Sequence, residues 1–384
     1  MSVVPAALPA VPEARPCGRM TATLMTDSAL WEMRREWTAL LRTTDKPSMF
    51  LTWEWQEAWW RAFGRGEPWP VLVDGPTSPR AIVPLYRVTE PLRGVPLRTL
   101  RLIGDGSGDG DDLDAIVAGD DAPGAAAATL RMLRHRRDWD LLQLHPVPET
   151  SRFGAAIERM ARRTGWALRV EHFACTHTPL PGDWDEFLSQ LKPRMRSRVR
   201  SLLRRMVDLS EARLERVERA DQLDAALDTL FDLHQARWQA IDQPGAFADA
   251  DRRQLFRDFA FRALQHGWLR LYVLHLDGAP LAAQLGYVFD NVFLQIQEGF
   301  DPDAYDRSPG VALRAAVLRD CVAEGLDAYD NLLGTPPQKM RWGAEPRRVR
   351  RLTLARPGSI ASLMLRAHGV LRGDEEPIAE LEDD

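Results

Sequence analysis

Cysteine is scarce: Cys17, Cys175 and Cys321 are the only three in 384 residues, and they lie far apart. An odd, scattered set excludes a disulfide framework and a zinc ribbon, and fits a reducing compartment. Nowhere do about 18 apolar residues follow one another, so no membrane-spanning helix is expected. A formal charge of -5 and a pI near 6.0 exclude a globally basic nucleic-acid-binding protein and leave only a local basic surface to consider. The amino terminus, MSVVPAALPAVPEARPCGRM, has no basic residue ahead of its apolar part and is interrupted by prolines, which makes it a poor secretory signal. Residues 1–24 therefore read as a disordered leader, and the protein as cytoplasmic. What is present, 45% hydrophobic residues over this length, suffices for two or three cores.

From Asp27 to Phe63 the pattern is helical, with Trp55, Trp59 and Phe63 four residues apart on one face. Packing, rather than ligand stacking, is the expected use of that face. Short apolar runs (PVLVDG, RAIVPLYRV, LRTLRLIG, DLDAIVAG) separated by Gly, Pro and Asp predict strands in a meander. A helix over 122–137, the strand WDLLQLHPV, a helix over 151–164 and the strand GWALRVEHF complete this half. Strands alternating with helices give an α/β or α+β layered fold.

Gly104 to Asp112 (GDGSGDGDD) reads as a solvated loop, with a place at the rim of a site as the other use. As an EF-hand starting at Asp105 its twelfth position would be Ile116, which has no carboxylate. As a phosphate cradle it would set Asp105, Asp109, Asp111 and Asp112 against the anion. His172, Cys175 and His177 match no common zinc spacing, and no metal is expected.

Asp185 to Met206 reads as one helix carrying Lys192, Arg194, Arg196, Arg198, Arg200, Arg204 and Arg205 without an intervening acid. Two readings stay open: a solvated face paired with acidic neighbours, or a contact to a nucleotide phosphate or an RNA backbone. After the strand EARLERVER, helices over 221–241 and 249–265 cover the sheet that follows. His234 and Trp238, one turn apart, are expected in the core, with the border of a pocket as the alternative.

Trp268 to Trp342 has the most specific succession of elements. Asp277-Gly278 and Asp290-Asn291 are the residue types that two-residue hairpin turns require, so three antiparallel strands follow directly. A polar loop (DPDAYDRSPG), a helix (VALRAAVLRDCVAEG), a strand (LDAYDNLLG) and the segment TPPQKMRWG come next. Ser308 is the expected N-cap and Pro309 suits the first turn. A helix N-terminus carries partial positive charge and unpaired N–H groups, which suits a pyrophosphate, although Pro309 removes one of those donors.

The order of three meander strands, a helix and a strand, with Arg307-Ser308-Pro309-Gly310-Val311-Ala312 at the helix start, resembles the GNAT acyltransferase fold and its acyl-CoA loop, Gln/Arg-x-x-Gly-x-Gly/Ala. The basic segment LKPRMRSRVRSLLRR, GFDPDAYDRSPGVAL and YDNLLGTPPQKMRWG, with FLTWEWQEAWWRAFG and IVPLYRV near the N-terminus, resemble the CelD-like (BioF2-like) acyltransferases, relatives of the Fem-type peptidyltransferases. The resemblance spans residues 25 to 355 and implies an α+β, layered architecture of two GNAT-like halves, each a mostly antiparallel mixed sheet flanked by helices. The halves are expected at 25–175 and 176–357, the second including the basic helix 185–206. A C-terminal helix at 358–372 and an acidic, disordered tail at 373–384 follow.

The resemblance implies transfer of an acyl group from acyl-CoA, acetyl-CoA being the simplest, to a small-molecule amine or hydroxyl acceptor in a cell-envelope or polysaccharide pathway. The Fem-type alternative uses aminoacyl-tRNA, and a non-catalytic binding module on the same fold is a third reading. Arg307, Ser308, Gly310, Val311, Ala312, Arg196 and Arg200 are the expected donor-binding residues. Glu298, after the third strand, would accept a proton or else pair with an arginine. Tyr305 and Tyr329 are candidate acids for the leaving group. Asp330 and Lys339 match the family's Asp and Lys around the Gly334 turn, and Lys339 would bind phosphate or stabilise an oxyanion. Trp342 would wall the pocket or simply pack.

Overall fold

The computed structural model describes residues 20–76, 78–208 and 211–372. In chain order the elements of the N-terminal half are β1 (Thr21–Leu24), α1 (Asp27–Glu32), α2 (Arg34–Leu41), α3 (Trp53–Phe63), β2 (Glu67–Pro68), β3 (Val71–Asp74), β4 (Pro79–Val83), β5 (Leu85–Leu92), β6 (Val95–Leu102), β7 (Ile116–Val117), α4 (Ala122–His135), β8 (Leu141–Pro148) and α5 (Arg152–Arg163). Next come β9 (Ala167–Pro179), α6 (Trp184–Gln190), α7 (Pro193–Met206), β10 (Ala212–Arg216), α8 (Ala220–Gln239) and α9 (Ala250–Gln265). The chain continues through β11 (Leu269–Leu276), β12 (Ala279–Phe289), β13 (Val292–Phe300), α10 (Pro309–Ala323), β14 (Ala328–Leu333), α11 (Pro337–Met340), β15 (Glu345–Ala355) and α12 (Ile360–Arg372).

A four-stranded sheet has the order β1-β3-β4-β7, and an 11-stranded mixed sheet runs β10-β11-β12-β13-β14-β9-β15-β8-β6-β5-β2. The larger sheet crosses both halves, because β9 pairs with β14 and β15, and β15 pairs with β8. The halves repeat one motif. In each, an antiparallel hairpin strand meets a parallel neighbour over only three residue pairs, β6 with β8 at Thr99–Arg101 and β13 with β14 at Val292–Leu294. This is the layered α+β architecture expected.

Local chemistry explains the hairpins. Asp277, Gly278, Asp290 and Asn291 all have positive φ, as two-residue turns between twisted strands demand. One face of the C-terminal half is covered by α6, α7 and α10, which pack Phe187, Leu203, Leu313 and Val317 against Tyr272, Leu274 and Phe293. On the other face, α8 and α9 join the core of the N-terminal half. The Trp55 ring meets Phe259 of α9 edge-on at 4.9 Å, and Phe259 meets Tyr287 of β12 at 4.8 Å. The tryptophan face of α3 thus packs, and each buried aromatic contributes about 3–5 kcal/mol against truncation to alanine.

Several expectations change. Thr21–Leu24, assigned to the leader, is a strand paired antiparallel with β3. The helical stretch from Asp27 to Phe63 is divided into α1, α2 and α3, the last started by a Thr52 side-chain cap on the Trp55 amide. The basic helix 185–206 is two helices. Pro193 forces Lys192 out of the helical region, to φ -55 and ψ 142, and α7 begins anew. Residues 1–19 of the leader and the acidic tail 373–384 lie outside the described residues. No helix among the described residues is long and apolar enough to cross a membrane.

Gly299 of β13 marks a close approach between the sheet and α8: a Cβ there would lie 2.4 Å from the His234 backbone nitrogen. Backbone cannot yield as a side-chain tip can. Gly299→Ala is therefore expected to cost about 1–3 kcal/mol in urea unfolding, with α8 pushed from the sheet. A change within experimental error would show that this contact relaxes freely.

Candidate active site

Strands β13 and β14 stop pairing after Leu294 and Asp330, although β13 continues to Phe300 and β14 to Leu333. Two features open this gap. In β13, Leu285 faces Gln297 while Gly286 faces Gln295, so Ile296 is an extra, bulged residue. In β14, Leu332 adopts φ 59, and its amide donates to Asp330 Oδ1 at 2.7 Å instead of to a strand. Beyond Leu294, the β13 backbone loses its strand partner on that side, which leaves a slot between the two strand ends.

Glu298 lies at the mouth of the slot. Its Oε2 accepts from Arg314 Nη2 at 2.8 Å, and its Oε1 lies 3.5 Å from Arg237 Nη1. Arg314 stands one turn beyond Gly310 on α10 and is buried. Arg237, on α8, spreads over the Phe300 ring at 4.9 Å and the Trp238 ring at 5.6 Å. Gly310 also touches that aromatic: a Cβ there would lie 3.2 Å from Phe300 Cδ1. Burial alone would raise the Glu298 carboxyl, but Arg314, Arg237 and Lys339 together outweigh it and hold it below the usual carboxylate range. A carboxylate so held is a weak proton acceptor at neutral pH and a strong fixed charge.

Lys339, on α11, therefore belongs to the same cluster. Its Nζ donates to the Leu333 carbonyl at 2.5 Å. Behind it, the buried Tyr329 ring stacks on Phe293 at 4.7 Å. The Tyr329 hydroxyl accepts from Gln284 Nε2 at 2.6 Å and donates to Gln295 Oε1 at 3.3 Å. Burial pushes that phenol far up, so it serves as a hydrogen-bonding group and not as an anion.

Residues 193–340 match the family model of the acetyltransferase (GNAT) domain. That span runs from α7 to α11 and contains the whole cleft just described. Among solved structures the chain is similar to FemX, at 12% identity and TM-score 0.59 over 86% of this chain and 96% of that one. It is similar to a conserved protein of unknown function from Bacteroides thetaiotaomicron VPI-5482 (12% identity, TM-score 0.54, 85% and 97% covered). A third likeness is to the C-terminal domain of a putative lysylphosphatidylglycerol synthetase from Agrobacterium fabrum (12%, TM-score 0.51, 90% and 98%). At these identities the likeness is one of fold. No curated protein matches the chain.

The loop at 307–312, within the matched span, differs in detail from the sequence expectation. Ser308 precedes α10 but does not cap it: it is left-handed (φ 59, ψ 51), and its Oγ accepts from Arg198 Nη2 at 2.8 Å. Ala312 N already bonds to Ser308 O, so the open donors at this end are the amides of Gly310 and Val311. From the basic segment it is Arg198 that reaches the loop. Arg196 instead closes α6 by donating to the Ser189 and Leu191 carbonyls, and Arg200 pairs with Asp185 at 3.3 Å. Spacing does not single out Arg198: Arg196 and Arg200 are likewise four residues apart, and its partner Ser308 lies 110 residues away.

Arg307 and Tyr305 are exposed on the short turn before Ser308, with the Tyr305 ring 6.3 Å from Phe300. Asp330 is buried and bonded to Arg347 Nε at 3.1 Å. Burial raises its carboxyl, against the pull of Arg347. Trp342 is buried in the core that α6, α7 and α10 share with the sheet, and packs. His234 is also core, its ring accepting from Trp238 Nε1 at 3.0 Å, and burial with the nearby Arg237 charge lowers it to about 4. No group of three or more potential metal ligands occurs among the described residues. A cavity of about 970 Å3 opens between the halves, lined by Lys46, Asp114, Arg152, His177, Asp330 and Arg348 among others, and its lining does not include Glu298, Gly310 or Lys339.

Replacing Arg314 by Met leaves Glu298 desolvated with weaker compensation, and should cost about 2–4 kcal/mol at neutral pH. A lowered carboxyl contributes stability that is present above its unfolded value and lost as pH falls through the folded one. The gap between Arg314→Met and wild type should therefore narrow in acid. Equal gaps in urea unfolding at both pH values would contradict the ion-pair account.

Proposed function

We propose that this chain transfers an acyl group from acyl-CoA to an amine or hydroxyl acceptor, and that the slot between β13 and β14 is where transfer occurs. The observation that carries the reading is the convergence, at one end of a splayed parallel pair, of the α10 N-terminus, Glu298 and Lys339. The acceptor attacks the thioester carbonyl, a C–N or C–O bond forms, the C–S bond breaks, and the acceptor's proton ends on the CoA thiol. Unpaired strand groups of β13 hold the pantetheine amides, and the Gly310 and Val311 amides face the pyrophosphate with Arg198 and Arg307 alongside. Lys339 opposes charge developing on the carbonyl oxygen. Glu298 holds Arg314, Arg237 and Lys339 together at the mouth, and an amine acceptor enters neutral, having left its extra proton to water. Asp330 shapes the strand end, and Tyr305 at the mouth supplies a proton to the departing sulfur.

The division at 25–175 and 176–357 into two GNAT-like halves belongs to the same proposal, with the C-terminal half as the catalytic one. The resemblance to CelD-like acyltransferases favours an acceptor from cell-envelope or polysaccharide chemistry. An aminoacyl-tRNA donor is the second reading, favoured by the exposed Lys192, Arg194, Arg198, Arg200, Arg204 and Arg205 along α7.

Thermal unfolding separates these readings, since a ligand at 100 times its Kd stabilises by about 2.7 kcal/mol. Acetyl-CoA or a longer acyl-CoA should raise the melting temperature, and Gly310→Glu should abolish the rise by placing bulk on Phe300 and negative charge at the helix start. A rise with aminoacyl-tRNA alone, steeply reduced by salt, would favour the second donor. No rise with any acyl-CoA would overturn the first.

A further inference from the structure

The GDGSGDGDD loop, whose sequence fits a solvated loop or the rim of a site, sends its carboxylates into the other half. Asp109 Oδ2 accepts from Arg252 Nε of α9 at 3.0 Å, and Asp112 Oδ1 accepts from Arg347 Nη1 of β15 at 2.7 Å. Asp111, which is buried, accepts at 3.0 Å on Oδ2 from the amide of Leu333, 222 residues away. Leu333 is also the residue whose carbonyl receives the Lys339 ammonium. The amide of one residue is thus fixed by a carboxylate from the N-terminal half, while its carbonyl fixes a cation of the cleft.

We propose that Asp111 is a positioning residue, which holds the end of β14 away from β13 and, through Leu333, sets the place of the Lys339 ammonium. This rests on the reading of Lys339 as a group acting in the slot. Leu332, with φ 59, interrupts the register of β14 on β9 between Asp330 and Leu333; where pairing resumes at Leu333 with Cys175, the Leu333 amide is taken by Asp111 instead of by a strand. The next peptide is fixed separately, with Gly334 N donating to the Ala174 carbonyl of β9 at 2.9 Å. Two planes thus define the Leu333 carbonyl, and Asp111 controls one of them. The groups facing Asp111 are Asp112 beside it, Arg347 from β15, Asp330 from β14 and the Cys175 thiol from β9. Burial first, then Asp112, pushes Asp111 up to about 7, with Arg347 pulling the other way. The hydrogen bond therefore weakens as the carboxylate takes a proton near neutrality, and the coupling between halves follows pH.

The test needs no acceptor. Amide exchange at Leu333 should be protected in the wild type and about tenfold faster in Asp111→Ala, as loss of a hydrogen bond to a charged acceptor implies. Asp111→Asn keeps an acceptor oxygen and should restore most of the protection. Labelling with an N-hydroxysuccinimide ester, read by mass spectrometry, should show Lys339 reacting faster in Asp111→Ala, with Lys46 and Lys192 unchanged. Protection at Leu333 in the wild type should fall modestly as pH drops through about 7, to the level of Asp111→Asn, whose neutral acceptor the protonated carboxyl matches, while Asp111→Asn itself stays flat. If Asp111→Ala does not fold, Asp111→Ser takes its place in both the exchange and the labelling comparison. Unchanged exchange and labelling in Asp111→Ala, or an equal loss in Asp111→Asn, would overturn the proposal, and a wild type flat in pH would overturn its pH coupling. Absence of any acyl-CoA thermal shift alongside the expected exchange results would instead remove the donor reading and leave the positioning contact standing.

Discussion

The cleft depends on a sheet that stops pairing too early. Two parallel strands bonded over three residues and then parted would ordinarily close up, because unpaired backbone groups away from water are costly. Here the cost is met locally. Asp330 takes the Leu332 amide, Asp111 takes the Leu333 amide, Lys339 takes the Leu333 carbonyl, and the Ile296 bulge turns β13 aside. The strand end is satisfied without its neighbour. Only then can β13 offer its own backbone to something else.

The second constraint is charge. Glu298 gathers Arg314, Arg237 and Lys339 from three different elements, α10, α8 and α11. Each cation would be expensive in this partly desolvated place alone, and the carboxylate makes their approach tolerable. The same carboxylate is tuned away from proton uptake, so its contribution is electrostatic. Gly310 and Phe300 connect this cluster to the helix end, where the open Gly310 and Val311 amides lie beside the Arg198–Ser308 contact. Because β9 and β15 knit the two halves into a single sheet, the N-terminal half also shapes this end of the C-terminal one.

Much of this was legible in the sequence, for reasons that differ by residue. The Asp-Gly and Asp-Asn turns announce three strands because the positive φ they require is a local property. Pro309 and Gly310 mark the helix start for the same reason. Pro193, by contrast, was present in the sequence as a break in the basic segment, and the charge pattern around it suggested one continuous helix. Ser308 has the composition of an N-cap but is held left-handed and claimed by Arg198, a contact 110 residues away. The aspartate loop was the largest omission. Its side chains act on α9, β14 and β15, and no short-range pattern encodes a contact across 222 residues. Lys339 carried a signal that composition totals hide: the chain has only three lysines, Lys46, Lys192 and Lys339, against abundant arginine.

The central claim is that a donor lies along β13 with its charged end at α10. Hydrogen-exchange mapping of the whole chain with and without acetyl-CoA tests it most directly. The account predicts new protection confined to Gln295–Phe300 and Gly310–Ala312, with little change around Lys46 and Arg152 in the cavity between the halves. Protection centred on that cavity, with β13 and the start of α10 unchanged, would contradict it.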